Sequence, residues 1–160
     1  MPARTDDGTD RPLLAADRYS LTALVGAFVP AALARRAVSV SVETDRDSYA
    51  VGDPVEVSVT FRNRLPVPVA VPTPERRLWG WCVGGELEAS DERRYTRPEP
   101  AEFAFRPGET KRVTFVWSGR FERTGDDHES VLPDPGEYEI AAFVATADRR
   151  PRDATTVTLR

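Results

Sequence analysis

Cysteine, histidine and lysine each occur once in this chain of 160 residues, as Cys82, His128 and Lys111. A single cysteine excludes an internal disulfide framework. A single histidine excludes a multi-histidine metal site and leaves little acid–base machinery near neutral pH. Of the 22 basic residues all but Lys111 are arginine, and they face 26 acids for a net charge of −4. Nucleic-acid binding draws on a dense basic surface, so this balance argues against it. Arginine in place of lysine amid many acids fits two sources. One is a salt-adapted protein, whose exposed acids repel less once the Debye length falls to about 3 Å at 1 M salt. The other is plain codon bias. Catalytic motifs are lacking too. Gly84-Gly85 is followed by no lysine or serine of the phosphate-loop type, no Gly-x-Ser-x-Gly elbow occurs, and no motif selects one carboxylate pair among the 26 acids. The chain is expected not to be an enzyme and to carry no cofactor or metal.

Long apolar runs are scarce as well. Met1 to Pro12 mixes arginine, aspartate, glycine and threonine and reads as a loose tail. The uncharged stretch Tyr19 to Ala34 falls short of the roughly 20 residues of a membrane helix and holds Thr22, Gly26 and Pro30. A signal peptide would use Ala32-Leu33-Ala34 as its cleavage site, but aspartates outnumber arginines over the first 20 residues. The preferred reading is a docked helical segment. Leu21, Leu24, Val25, Phe28, Ala32 and Leu33 make one stripe, which Pro30 would kink. Contact with a partner or a membrane surface stays open as a lesser option.

From Ala37 the period drops from 3.6 to 2. Val38, Val40 and Val42 alternate with polar residues, as do Val55, Val57, Val59 and Phe61. Val67, Val69 and Val71 stand among prolines and suit an edge strand or an extended crossing segment. Leu78 to Val83 reads as a short buried strand ending in the hairpin signal Gly84-Gly85. Glu86 to Glu102 reads mostly as connecting loop, with Glu86–Ala89 as the one short strand it could hold, and Phe103 and Phe105 lead into the tight turn Arg106-Pro107-Gly108-Glu109. Further strands are expected at Thr110–Trp117, Tyr138–Val144 and Thr155–Leu159, with a long polar loop from Gly119 to Pro135. The division is therefore residues 1–36, tail and apolar helical segment, and 37–160, an antiparallel β-sandwich of seven or eight strands.

Few side chains point to chemistry. Cys82 reads as a small buried hydrophobe. Asp126-Asp127-His128-Glu129 reads as solvated loop, because adjacent side chains rarely converge on one ion. Trp79 and Trp81 share one strand face, and Arg76 and Arg77 stand just before them. Tryptophan and arginine are enriched in interface hot spots, which makes Arg76, Arg77 and Trp79 the candidate binding residues. Core packing of at least one tryptophan is the competing reading.

Three stretches together resemble the intracellular proteinase inhibitors of the BsuPI type. They are Tyr49 to Asn63 with its Val-Gly-Asp-Pro-Val turn and the Pro-Val-Ala-Val that follows, Phe105 to Trp117 with its Arg-Pro-Gly-Glu turn, and Asp134-Pro-Gly-Glu-Tyr138. The resemblance covers about residues 38–146. The chain departs from that family at Pro72–Trp79, where the family tends to carry Gly-Gln and an aspartate–aromatic pair. The resemblance implies an immunoglobulin-like sandwich and a non-catalytic protein-binding role, with a proteinase as the partner. The alternative is a structural or assembly immunoglobulin-like domain without inhibitory activity. No membrane role is expected, the oligomeric state is open, and the expected compartment is the cytoplasm.

Overall fold

The computed structural model describes residues 29–93, 96–125 and 127–160. The expected tail and four members of the apolar stripe, Leu21, Leu24, Val25 and Phe28, lie outside them. A helix, α1 (Ala31–Ala37), begins directly after Pro30. Pro30 therefore opens a helix and does not kink one. Proline loses nothing at this position, since the first helical N–H groups have no intrahelical acceptor. Its carbonyl accepts from the N–H groups of Leu33 and Ala34 at 2.8 and 2.9 Å. The buried face is rotated from the expected stripe. Ala34 and Ala37 are buried, whereas Ala32 is exposed and Leu33 is 49% exposed.

Twelve strands follow among the described residues: β1 (Val38–Thr44), β2 (Ser48–Tyr49), β3 (Val55–Asn63), β4 (Val69–Thr73), β5 (Trp79–Val83), β6 (Glu86–Leu87), β7 (Ala101–Phe105), β8 (Thr110–Trp117), β9 (Phe121–Thr124), β10 (His128–Val131), β11 (Gly136–Val144) and β12 (Arg152–Leu159). Eight of them are five residues or longer. The fold is all-β and sandwich-like, as the alternation predicted. One sheet has the order β1-β3-β8 and the other β2-β12-β11-β5-β6. All neighbours are antiparallel except β2, which runs parallel to β12.

Between the sheets lies the core. β3 contributes Val55, Val57, Val59 and Phe61, all fully buried, and the opposite sheet contributes Val83, Ile140, Ala142, Val144, Val157 and Leu159. On one flank the carboxylate of Asp153 on β12 accepts the N–H of Val42 on β1 at 2.9 Å and ties the sheets together. At the other end the β3–β8 ladder bends and continues as the β4–β7 pair. Asn63 makes that bend. Its buried amide donates to the carbonyls of Val67 and Arg106 at 2.8 and 2.9 Å, and its side-chain oxygen accepts from Leu65 N–H at 3.0 Å. Three backbone groups of two turns are thus satisfied away from water, which keeps the corner closed.

The expected polar loop from Gly119 to Pro135 is instead interrupted by a hairpin, β9 with β10. β10 carries almost no apolar signal because three of its four residues are exposed. The hairpin is anchored through Phe121, whose ring lies 5.7 Å from that of Trp117, and through a bridge from Glu122 to Ser90.

Candidate functional site

Strict alternation fails in one place. Ile140 to Val144 on β11 are all buried, although only Ile140, Ala142 and Val144 face the core. An antiparallel strand in a two-layer fold ordinarily shows water one face. The continuous burial means that something covers the outside of the five-stranded sheet at Ala141 and Phe143.

Phe143 forms the floor. It sits opposite Gly80 on β5 and Arg152 on β12. A Cβ at Gly80 would come within 2.8 Å of the Phe143 ring, so the ring occupies the space that any other residue there would fill. Ala141, Cys82 and Leu87 continue the apolar floor. Cys82 is buried, and burial raises its thiol above the usual range, which suits a packing residue better than a nucleophile.

Guanidinium groups form the rim. Arg77 pairs with Glu88 at 2.8 Å, and both side chains are largely shielded. Arg152 pairs with Glu139 at 2.8 Å. Arg149 differs from both: its guanidinium lies 5.2 Å above the Phe143 ring, and no carboxylate pairs with it among the described residues. A cation over an aromatic face gains on the order of 0.5–1 kcal/mol at an exposed site. The backbone of Arg149 has φ +53, a left-handed conformation that side chains with a Cβ seldom adopt.

Thr146 explains how the β11–β12 turn tolerates that conformation. Its buried hydroxyl donates to the Asp148 carboxylate at 2.7 Å and to the Arg150 carbonyl at 2.8 Å, and it accepts from the Arg150 N–H at 2.9 Å. A hydroxyl has only one proton, so the two donations are alternatives sharing it. The hydrogen bond from Thr146 holds the Asp148 carboxyl below its ordinary value. The turn is pinned from within, and the exposed Arg149 side chain extends from it over the Phe143 ring.

Two adjoining hollows result. A cleft of about 370 Å³ has Arg77, Thr96, Phe143 and Arg149 among its walls. A smaller one of about 170 Å³ lies between Cys82, Glu139, Phe143, Arg149 and Arg152. Phe143 and Arg149 belong to both and stand where they meet. The two hollows thus combine an apolar floor, the Arg149 cation and a rim of paired charges, with Glu75 also among the walls of the larger one.

The three residues chosen from sequence are not brought together. Arg77 lines the outer cleft. Arg76 is exposed and pairs with Glu99 at 3.3 Å. Trp79 turns inward, half-buried, with its ring 5.8 Å from Phe61 and 6.2 Å from Phe115. Trp81 stacks on Phe115 at 4.5 Å beside it. Asp126 lies outside the described residues, and His128 and Glu129 are successive on β10, which sends their side chains to opposite faces. Sequence reading missed Phe143, Thr146 and Arg149. The available signal was the unbroken run Ile-Ala-Ala-Phe-Val, which marks a strand covered on both faces.

The chain belongs to the family of unknown function DUF7974, whose model matches residues 26–160. No curated protein matches it. Among solved structures it is similar to a β-glucosidase from Listeria innocua, at 16% identity and a TM-score of 0.45, over 76% of this chain but only 16% of that one. A CARDB domain from Pyrococcus furiosus is similar at 17% identity and a TM-score of 0.46, over 77% of this chain and 94% of that one. An alkylpurine DNA glycosylase from Pseudomonas fluorescens is similar at 13% identity and a TM-score of 0.47, over 86% of this chain and 33% of that one. At such scores these likenesses carry no activity to this chain. No helix among the described residues is long and apolar enough to cross a membrane.

Proposed function

We propose that the chain is a non-catalytic, immunoglobulin-like protein-binding module whose contact surface is the outer face of the five-stranded sheet. The observation that carries this reading is Arg149: a guanidinium without a carboxylate partner among the described residues, fixed by the Thr146 turn above Phe143. A cation resting on an apolar floor can be desolvated together with it on binding, and arginine is a frequent hot spot. The matching partner presents an extended acidic segment. The resemblance to proteinase inhibitors makes a proteinase the first partner class to test. Arg77 stays in this surface, while Arg76 sits at its margin and Trp79 supports it from inside. In this reading the module works in the cytoplasm, where a lone thiol such as Cys82 stays reduced.

The test compares capture by the wild type, Arg149→Gln and Arg112→Gln. Arg112 is an exposed arginine on the other sheet, so its variant makes the same charge change elsewhere. The wild type and Arg112→Gln should retain the same protein, and Arg149→Gln should lose it. Equal capture by all three would place the contact elsewhere.

One observation favours a second reading, an assembly domain. β8 ends its sheet and carries Val116, 59% exposed. An edge strand with an outward valine can pair with another chain. Sedimentation of the wild type against Val116→Lys separates the readings, since only assembly through β8 makes the wild type the larger species.

A further inference from the structure

The β11–β12 turn has a second side. Arg149 faces the outer cleft, whereas Asp148, Arg150 and Pro151 face a larger hollow of about 700 Å³ on the α1 side. Arg35 and Arg36 from α1 and Arg64 from the β3–β4 turn complete its charged lining. Four guanidinium groups therefore surround one carboxylate, in a chain whose net charge is −4. Such a local excess of positive charge needs an explanation.

Structural pairing accounts for only part of it. Arg64 donates to the Arg36 carbonyl and so caps the end of α1. Arg35 reaches Asp148 only at 3.7 Å, and that carboxylate already accepts the Thr146 hydroxyl at 2.7 Å. The Nε of Arg35 is buried and meets no acceptor among the described residues. A buried donor on a charged group, left without an acceptor, is costly. Arg36 and Arg150 are exposed and have no carboxylate partner among the described residues. An anion seated in the hollow would supply the missing acceptor and offset the repulsion among the guanidinium groups.

We infer that this hollow is a binding site for a phosphate-bearing small molecule. Its arginines come from three separate segments, α1, the β3–β4 turn and the β11–β12 turn. A carboxylate offers two oxygens in one plane. A phosphate spreads its oxygens tetrahedrally and matches several guanidinium forks at once. This inference is independent of the protein-binding surface: it uses the opposite side of the turn and different side chains.

Inorganic pyrophosphate titrated calorimetrically into the full chain at low salt is the direct test. Saturable binding of one pyrophosphate per chain is expected, weakening as salt is raised. Arg36→Gln and Arg150→Gln, both at exposed positions and on different segments, should each weaken binding at least tenfold, with unchanged circular dichroism. Arg112→Gln, remote on β8, should stay within twofold of the wild type. Citrate, a carboxylate anion, should bind at least tenfold more weakly than pyrophosphate. Absence of saturable binding overturns the inference. So does an equal loss in Arg112→Gln, which would mean diffuse attraction, and equal binding of citrate would overturn the phosphate class.

Discussion

The two sheets of this protein treat their outer faces differently. On the three-stranded sheet, β3 alternates without exception: Val55, Val57, Val59 and Phe61 point inward, while Glu56, Ser58, Thr60 and Arg62 point to water. On the five-stranded sheet, β11 sends Phe143 and Ala141 outward and buries both. The first face is what a half-buried antiparallel sheet needs in order to stay folded. The second is lined by Arg77, Arg152 and, from a pinned turn, Arg149, whose backbone adopts an unfavourable φ. A face that departs from simple alternation, and is then covered by a strained polar segment, is where binding is expected.

Phe143→Ala gives the largest contrast. Removing this ring from its seat on Gly80 should lower stability by about 3 kcal/mol, the low end for a buried phenylalanine, and abolish capture. Thr60→Ala, the outward counterpart on the other sheet, should change stability by less than about 0.5 kcal/mol. Chemical denaturation of both variants checks the pair, and equal effects would erase the distinction. Next comes Gly80→Val, whose side chain would collide with the ring. It should cost about 1–3 kcal/mol by overpacking and displace Phe143, visible as loss of the ring's contacts to Arg149 by NMR.

A smaller effect concerns the turn. The Asp148 carboxyl is held below its ordinary value of 3.8 by the Thr146 hydroxyl. A lowered folded-state value means that its stabilisation is complete above the unfolded value. It disappears as pH falls through the folded one. The ordering of Arg149 should therefore persist from neutral pH down to about pH 4 and decline below it. The Asp148 carboxyl carbon, followed by NMR, should titrate below pH 3.8 in the wild type and move toward 3.8 in Thr146→Val. Smallest of all, Arg149→Gln should leave stability within about 0.5 kcal/mol, since it removes an exposed contact and no core.

Most of the architecture was legible because alternation survives wherever one face is wet. Val38–Thr44, Val55–Asn63 and Thr110–Trp117 show their period in the sequence itself. The β9–β10 hairpin was not legible, because a ribbon exposed on most sides imposes no apolar period. The site was legible only through Arg77. Arg76, Arg77 and Trp79 are neighbours in the chain, but β5 begins at Trp79. Alternation does not govern the two arginines ahead of it, so Arg77 turns outward to Glu88 while Trp79 turns inward to Phe61. Phe143 on β11 and Thr146 and Arg149 in the turn after it are distant in sequence, and pairing of β11 with β5 sets them beside Arg77. That pairing is a property of the folded sheet and leaves no local mark except the covered run at Ile140–Val144.

The most direct test of a binding surface at Arg149 and Phe143 is an NMR titration with a six-residue extended peptide of alternating glutamates. Saturable shifts of the Arg149 Nε–H and the Phe143 ring protons, absent from Arg149→Gln and unchanged in Arg112→Gln, are the predicted result. Shifts confined to the β1-β3-β8 face, or none that saturate, would contradict it.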